Sequence, residues 1–143
     1  MSHVILDDHL LRDVLVGTTG PALRRLIARR ELATTNLYVY RLARSAVSAG
    51  GGALSGRWSA ARRRELAEQL SVLPDSIAVL PMRSLAFRMA SIAEDHRVST
   101  LGAEAVAAAE ALEAKLAVWD GDDGPRIRAA ADATGVQYLT VER

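Results

Sequence analysis

The chain has 143 residues, half of them apolar, which is enough for one compact core and too little for two. Eighteen basic and seventeen acidic residues leave a net charge of +1, which excludes a bulk nucleic-acid-coating protein or an acidic tail. With no cysteine, disulfides, thiolate metal sites and a cysteine nucleophile are all excluded.

The distribution of charge says more than its sum. Residues 21–64 hold ten arginines against the single acid Glu31, a local charge of +9. From residue 72 onward seven basic residues face eleven acids, giving −4. This two-sided pattern points to an anionic partner on one flank. The N-terminus, MSHVILDDHLL, has acids where a signal peptide needs cations, and the chain lacks an apolar run of membrane-spanning length. A soluble, cytoplasmic protein that makes no membrane contact is therefore expected.

Val4-Ile5-Leu6 reads as a buried strand ending in Asp7-Asp8, followed by a helix carrying Leu10, Leu11, Val14 and Leu15. After the breaker run 17–20, Pro21 suits the first turn of a second helix, with Leu23, Leu26 and Ile27 inward. Leu32 to Thr35 form a second strand, and Asn36 is a candidate cap for a third helix with Leu37, Val39, Tyr40 and Ala43 as its apolar positions. The glycine-rich segment Ser48 to Gly56 reads as a loop. Ser59 begins a helix, Ile77 to Leu80 form a third strand, and Pro81 opens a helix with Leu85, Phe87, Met89 and Ile92. Residues 101–114 have the highest helix propensity of the chain, and Ser99 and Thr100 are candidate caps for them. Lys115 to Trp119 then form a strand ending at Asp120, Pro125 starts a short helix that Gly135 ends, and Val136 to Val141 form the last strand. Alternation of this kind predicts a three-layer α/β/α fold around a central, mainly parallel sheet of about five strands, since parallel neighbours need helical crossovers. The whole chain, 1–143, reads as one domain.

In such a sheet ligands collect beyond the carboxyl ends of the strands. Two strands end in carboxylates there, at Asp7-Asp8 and at Asp120. If those strands are neighbours, Asp7 and Asp120 converge, and paired carboxylates of this kind suit Mg²⁺ or Mn²⁺. The three histidines, His3, His9 and His96, are scattered along the chain and read as surface or cap residues. Arg57, Arg62, Arg63 and Arg64 beside Trp58 could grip a phosphate backbone or a single-stranded base, or Arg62 to Arg64 could form a solvated helix face spaced to meet Glu65 and Glu68. Tyr38, Tyr40 and Phe87 read as core.

Residues 97–141, an alanine-rich helix, a strand ending in Asp120, a short helix and a last strand, are similar in layout to the C-terminal half of PIN domains. The N-terminal strand with Asp7 and the helix-rich middle agree with that family in order and length. The resemblance, which includes VapC-like toxins of bacterial toxin-antitoxin pairs, implies a metal-dependent ribonuclease built on three or four acids. It assigns catalysis and metal binding to Asp7 and Asp120, with Asp8, Glu104 and Asp122 as accessory acids. It implies Mg²⁺ or Mn²⁺ as cofactor, and RNA, an antitoxin protein and a second copy of the chain as partners. Arg41, Arg57, Arg62 and Arg63 would hold the RNA. Two expected acids are missing, however: Arg41 and Gly102 stand where the family has them. Arg41 would neutralise a carboxylate and lower the need for a metal. The sequence thus supports two functions, a toxin-type ribonuclease with weakened or lost activity, and a non-catalytic module that binds RNA or a protein through the arginine-rich flank.

Overall fold

The computed structural model describes residues 2–48, 52 and 54–143. The elements in order are β1 (His3–Leu6), α1 (Asp8–Val16), α2 (Pro21–Ile27), β2 (Glu31–Thr34), α3 (Asn36–Val47), α4 (Ala60–Ser71) and β3 (Ile77–Val79). Then come α5 (Met82–His96), α6 (Thr100–Leu112), β4 (Lys115–Trp119), a 3₁₀ turn (Asp120–Asp122), α7 (Pro125–Ala133) and β5 (Tyr138–Val141). The strands form one parallel sheet in the order β3-β2-β1-β4-β5.

The alternation of side chains along each strand builds two cores at once. Val4 and Leu6 point to one face and Ile5 to the other, as Ala117 does against Leu116 and Val118. A strand covered on both faces needs apolar residues along its buried length, which is why residues 4–6 of β1 and 116–119 of β4 are unbroken apolar runs. On one face lie α1 to α4, bringing Leu10, Leu11, Leu23, Leu42 and Leu66. On the other lie α5 to α7, bringing Leu85, Met89, Ile92 and the alanines of α6. Residues 102–109 of α6 are all buried. Gly102 and the five alanines among them, the alanines expected only as good helix formers, let the helix lie close against both α5 and the sheet. The three-layer α/β/α architecture is therefore present, with all five strands parallel.

Strand order decides where a ligand could bind. The chain runs outward from β1 through β2 to β3, returns across the sheet, and continues outward on the other side through β4 to β5. The direction reverses between β1 and β4, and the crevice beyond their carboxyl ends is the switch point where open α/β sheets collect ligands. The reversal also sorts charge, because the ten arginines between residues 21 and 64, with Glu31, fall on β2 and the side of the sheet that carries α1 to α4.

Local expectations differ at a few places. Thr35, and not Asn36, caps α3: its extended backbone aims the hydroxyl at the Tyr38 amide, 3.1 Å away. Asn36 instead donates its side-chain amide to the Leu80 carbonyl at 2.8 Å. Ser99 caps α6 alone, accepting from the Gly102 amide. Of the glycine-rich loop 48–56, residues 49–51 and 53 lie outside the described residues, and within its described part Leu54 and Ser55 are buried. Tyr38 is core, as expected, but Tyr40 is 57% and Phe87 89% exposed. No helix among the described residues is long and apolar enough to cross a membrane.

Leu116, fully buried at the middle of β4, reports on the sheet's second core. Leu116→Ala is expected to lower stability by about 2–5 kcal/mol, read as a lower midpoint in urea at an unchanged slope.

Candidate functional site

The carboxyl ends of β1 and β4 lie side by side, and the Asp7 amide donates to the Ala117 carbonyl at 3.1 Å. Beyond them the chain places Asp7, Asp8 and His9 at the first turn of α1, with Asp122 on the 3₁₀ turn after Trp119. Arg41 reaches in from α3. Each acid meets the cost of burying charge in a different way.

Asp7 is buried and structural. One carboxylate oxygen caps α1 by accepting from the Leu10 amide at 2.8 Å, and the other accepts from the Trp119 amide at 2.9 Å. It therefore ties the start of α1 to the end of β4. Burial pushes its pKa up to about 7, against the pull of those two amides, and the nearby Asp8 and Asp122 push the same way.

Asp8 is fully buried. Its Oδ1 accepts from the His9 amide at 3.0 Å, while Oδ2 receives no hydrogen bond. Arg41 Nε stands 3.3 Å from Oδ2 as a charge partner, its side chain 43% exposed. Burial raises the pKa of Asp8, and Arg41 opposes the rise. The arginine at an expected acid position thus bridges to an aspartate across the crevice.

Glu104 is used up elsewhere. It reaches from α6 to the N-terminus of α3, accepting from the Asn36 amide at 3.0 Å, the Asn36 side chain at 2.7 Å and the Leu37 amide at 2.8 Å. A carboxylate at that helix end satisfies amides left without intrahelical partners and complements the dipole. Nor has Gly102 room for an acid, because a Cβ there would lie 2.8 Å from Ile127 Cγ1.

The three aspartates after β4 go separate ways. Asp120 is exposed and lines a groove with Ala22, Arg25 and Leu26 of α2 and residues 139–142. Asp123 accepts from the Tyr138 hydroxyl at 2.8 Å and from Arg128 at 3.0 Å. Asp122 faces the crevice, 3.8 Å from His9 Nε2. It is Asp122, and not Asp120, that is brought toward Asp7 and Asp8.

His9, read from the sequence as a surface or cap residue, lies inside the crevice instead. It is buried, its ring lies 4.5 Å from that of Trp119, and its Nδ1 faces Arg143 Nη1 at 3.4 Å. Burial, with Arg12, Arg143 and Arg41 nearby, holds its pKa down at about 4, so the ring is neutral at pH 7. Its place directly after Asp7-Asp8, on the first turn beyond a strand, was the available signal. Trp119 is held in turn by Arg143, 4.4 Å over its ring, and it packs where Gly121 leaves no room for a Cβ.

The arginine flank divides in two. Arg62 lies over the Trp58 ring at 4.0 Å and Arg63 donates to the Trp58 carbonyl at 2.8 Å, so both brace the turn before α4. Arg57 is exposed in a cleft of about 390 Å³ lined also by Arg12, Ser55 and Trp58. Beside it, sharing Gly52 and Leu54, is a cleft of about 530 Å³ lined by Tyr40, Arg41, Arg44, Ser45 and Ser48. Arg41 therefore belongs both to this cleft and to the strand-end crevice.

The Mg²⁺ or Mn²⁺ site expected on Asp7 and Asp120 does not fit these residues. Both oxygens of Asp7 already hold backbone amides, Asp120 faces another groove, Glu104 caps a helix, and a guanidinium lies on Asp8. A hard cation that wants about six oxygens finds too few here. No protein-family model and no curated protein matches this chain.

The buried acids lead to two expected outcomes. An acid whose folded pKa lies above its unfolded value of about 3.9 loses stability as pH rises through the interval between them. The stability advantage of the native chain over Asp7→Asn should therefore shrink between pH 4 and 7, by at most about 4 kcal/mol, in urea unfolding at stepped pH. Glu104→Gln turns an amide donor toward amide donors and is expected to cost about 1.5–3 kcal/mol, with hydrogen-exchange protection lost first at the start of α3.

Proposed function

We propose that this chain is a PIN-like module that binds RNA through its arginine-lined clefts and does not cut it. The observation that carries the reading is the double placement of Arg41, which closes the acidic crevice by pairing with Asp8 and stands beside Arg44 and Tyr40 in an open cleft. An active metal-dependent nuclease needs free carboxylates at the strand ends. Here they are engaged by amides and by a guanidinium, and the cationic surface remains open to solvent.

The chemistry of the clefts favours nucleic acid over an acidic protein. Guanidinium groups present paired donors that match phosphate oxygens, and an exposed tyrosine offers a face on which a base can stack. Arg44, Arg57 and Tyr40 are all exposed. Cavities of this size take groups of small-ligand dimensions, such as single nucleotide units along a strand. Pairing of Arg41 with Asp8 leaves Arg44 and Arg57 as the groups that do most of the phosphate binding.

The test is fluorescence anisotropy with a labelled single-stranded RNA at several salt concentrations. The double reversal Arg44→Glu with Arg57→Glu is expected to weaken binding at least tenfold and to flatten the salt dependence by a slope of about 1 to 2. Arg83→Glu, on the opposite layer, should bind like the native chain. RNA incubated with protein and Mg²⁺ or Mn²⁺ should stay intact. Unaltered binding in the double reversal overturns the reading in favour of another surface or a protein partner, and cleavage abolished by Asp8→Asn restores the nuclease.

A further inference from the structure

The strand-end crevice, poor as an all-oxygen site, mixes donors in another way. Asp8, His9 and Asp122 each offer one ligand atom, and these atoms all lie within 4.8 Å of one another. Asp8 contributes a carboxylate that is wholly buried, with an Oδ2 that receives no hydrogen bond although it is sealed from solvent. Among the described residues the only cation on that oxygen is the Arg41 guanidinium, 3.3 Å away and without hydrogen-bond geometry, which leaves the oxygen able to take another ligand.

We propose that Asp8, His9 and Asp122 form a zinc site in which Arg41 is the internal cation that the metal displaces. One imidazole with two carboxylates is a donor set for a borderline ion such as Zn²⁺, and a poor one for Mg²⁺, which prefers oxygens alone. Three protein ligands leave a fourth tetrahedral position for water. Tetrahedral Zn²⁺ with bonds of about 2.0–2.1 Å needs donor atoms about 3.3 Å apart. His9 Nε2 and Asp122 Oδ2 are 3.8 Å apart and all three donors lie within 4.8 Å of one another, so metal binding draws them together by up to about 1.5 Å. Asp122 supplies this movement most readily, being exposed on the short turn after β4. Two further contacts must yield. The Arg41 side chain swings back into its cleft, and Arg143 leaves His9 Nδ1, because that nitrogen carries the proton when Nε2 binds metal. Asp7 stays out of the set, held by the Leu10 and Trp119 amides.

The experiment is calorimetric titration of the metal-free full chain with ZnCl₂, and separately with MgCl₂. One Zn²⁺ per chain is expected, with no saturable heat from Mg²⁺ over the same range. Asp122→Asn, a surface change that leaves the core intact, should weaken Zn²⁺ at least tenfold, as should His9→Gln. Arg41→Gln should tighten it at least tenfold, and Asp120→Asn should leave it unchanged. The proposal is overturned if Zn²⁺ gives no heat at millimolar concentration with either the native chain or Arg41→Gln. It is equally overturned by binding that survives Asp122→Asn, by Mg²⁺ binding as tightly as Zn²⁺, or by an Arg41→Gln variant of native affinity. RNA binding is tested by different variants, Arg44 and Arg57, which are not in the zinc set, so failure of one reading is distinguishable from failure of the other.

Discussion

A carboxylate taken out of water must find a cation, a set of amides or a proton, and the architecture of this protein turns on how three such groups are provided for. Asp7 takes two amides from separate elements and so fixes the start of α1 to the end of β4. Glu104 crosses from α6 to the start of α3 and joins the two helical layers around the sheet. Asp8 takes a guanidinium at a distance and keeps one oxygen without a donor. The first two are fully used by the fold. Only the third is held by a partner that can leave, since Arg41 is partly exposed and has a second place to lie.

The same arrangement couples the two surfaces proposed to bind. Arg41 stands between the acidic crevice and the cleft shared with Tyr40 and Arg44, and whatever takes its guanidinium uncovers Asp8. An anion in the cleft and a cation in the crevice would each favour the arginine in its outward position, and by linkage each would then favour the other. Further along the flank, Trp58 and its two arginines hold the turn that walls the neighbouring cleft, so some of the cationic charge shapes the surface while the rest stays open on it.

Most of the fold was legible in the sequence because period and punctuation are local. The strands at 4–6, 77–79 and 115–119 are apolar runs, the helices at 21 and 125 open on proline, and Ser59 and Ser99 cap α4 and α6. The errors fell where contacts distant in sequence decide between locally equivalent choices. Thr35 and Asn36 are both able to cap, and which of them does so depends on Glu104 and Leu80, both distant in sequence. The outward Tyr40 and Phe87 share helical spacing with true core residues, and only the neighbours decide which turn of a helix is covered.

Residue type and spacing alone settled the alternation of strands and helices, the carboxylates at two strand ends, and the separation of charge along the chain. Each of these is carried by the chain whether or not it folds. Three-dimensional packing was needed to bring Asp122 and His9 to the crevice while Asp120 and Asp123 turn away, and to set Glu104 on the start of α3. The reason is directional: the packing of the turn after β4 against α1, and the meeting of α6 with α3, set where a side chain points, and neither is a property of neighbouring residues.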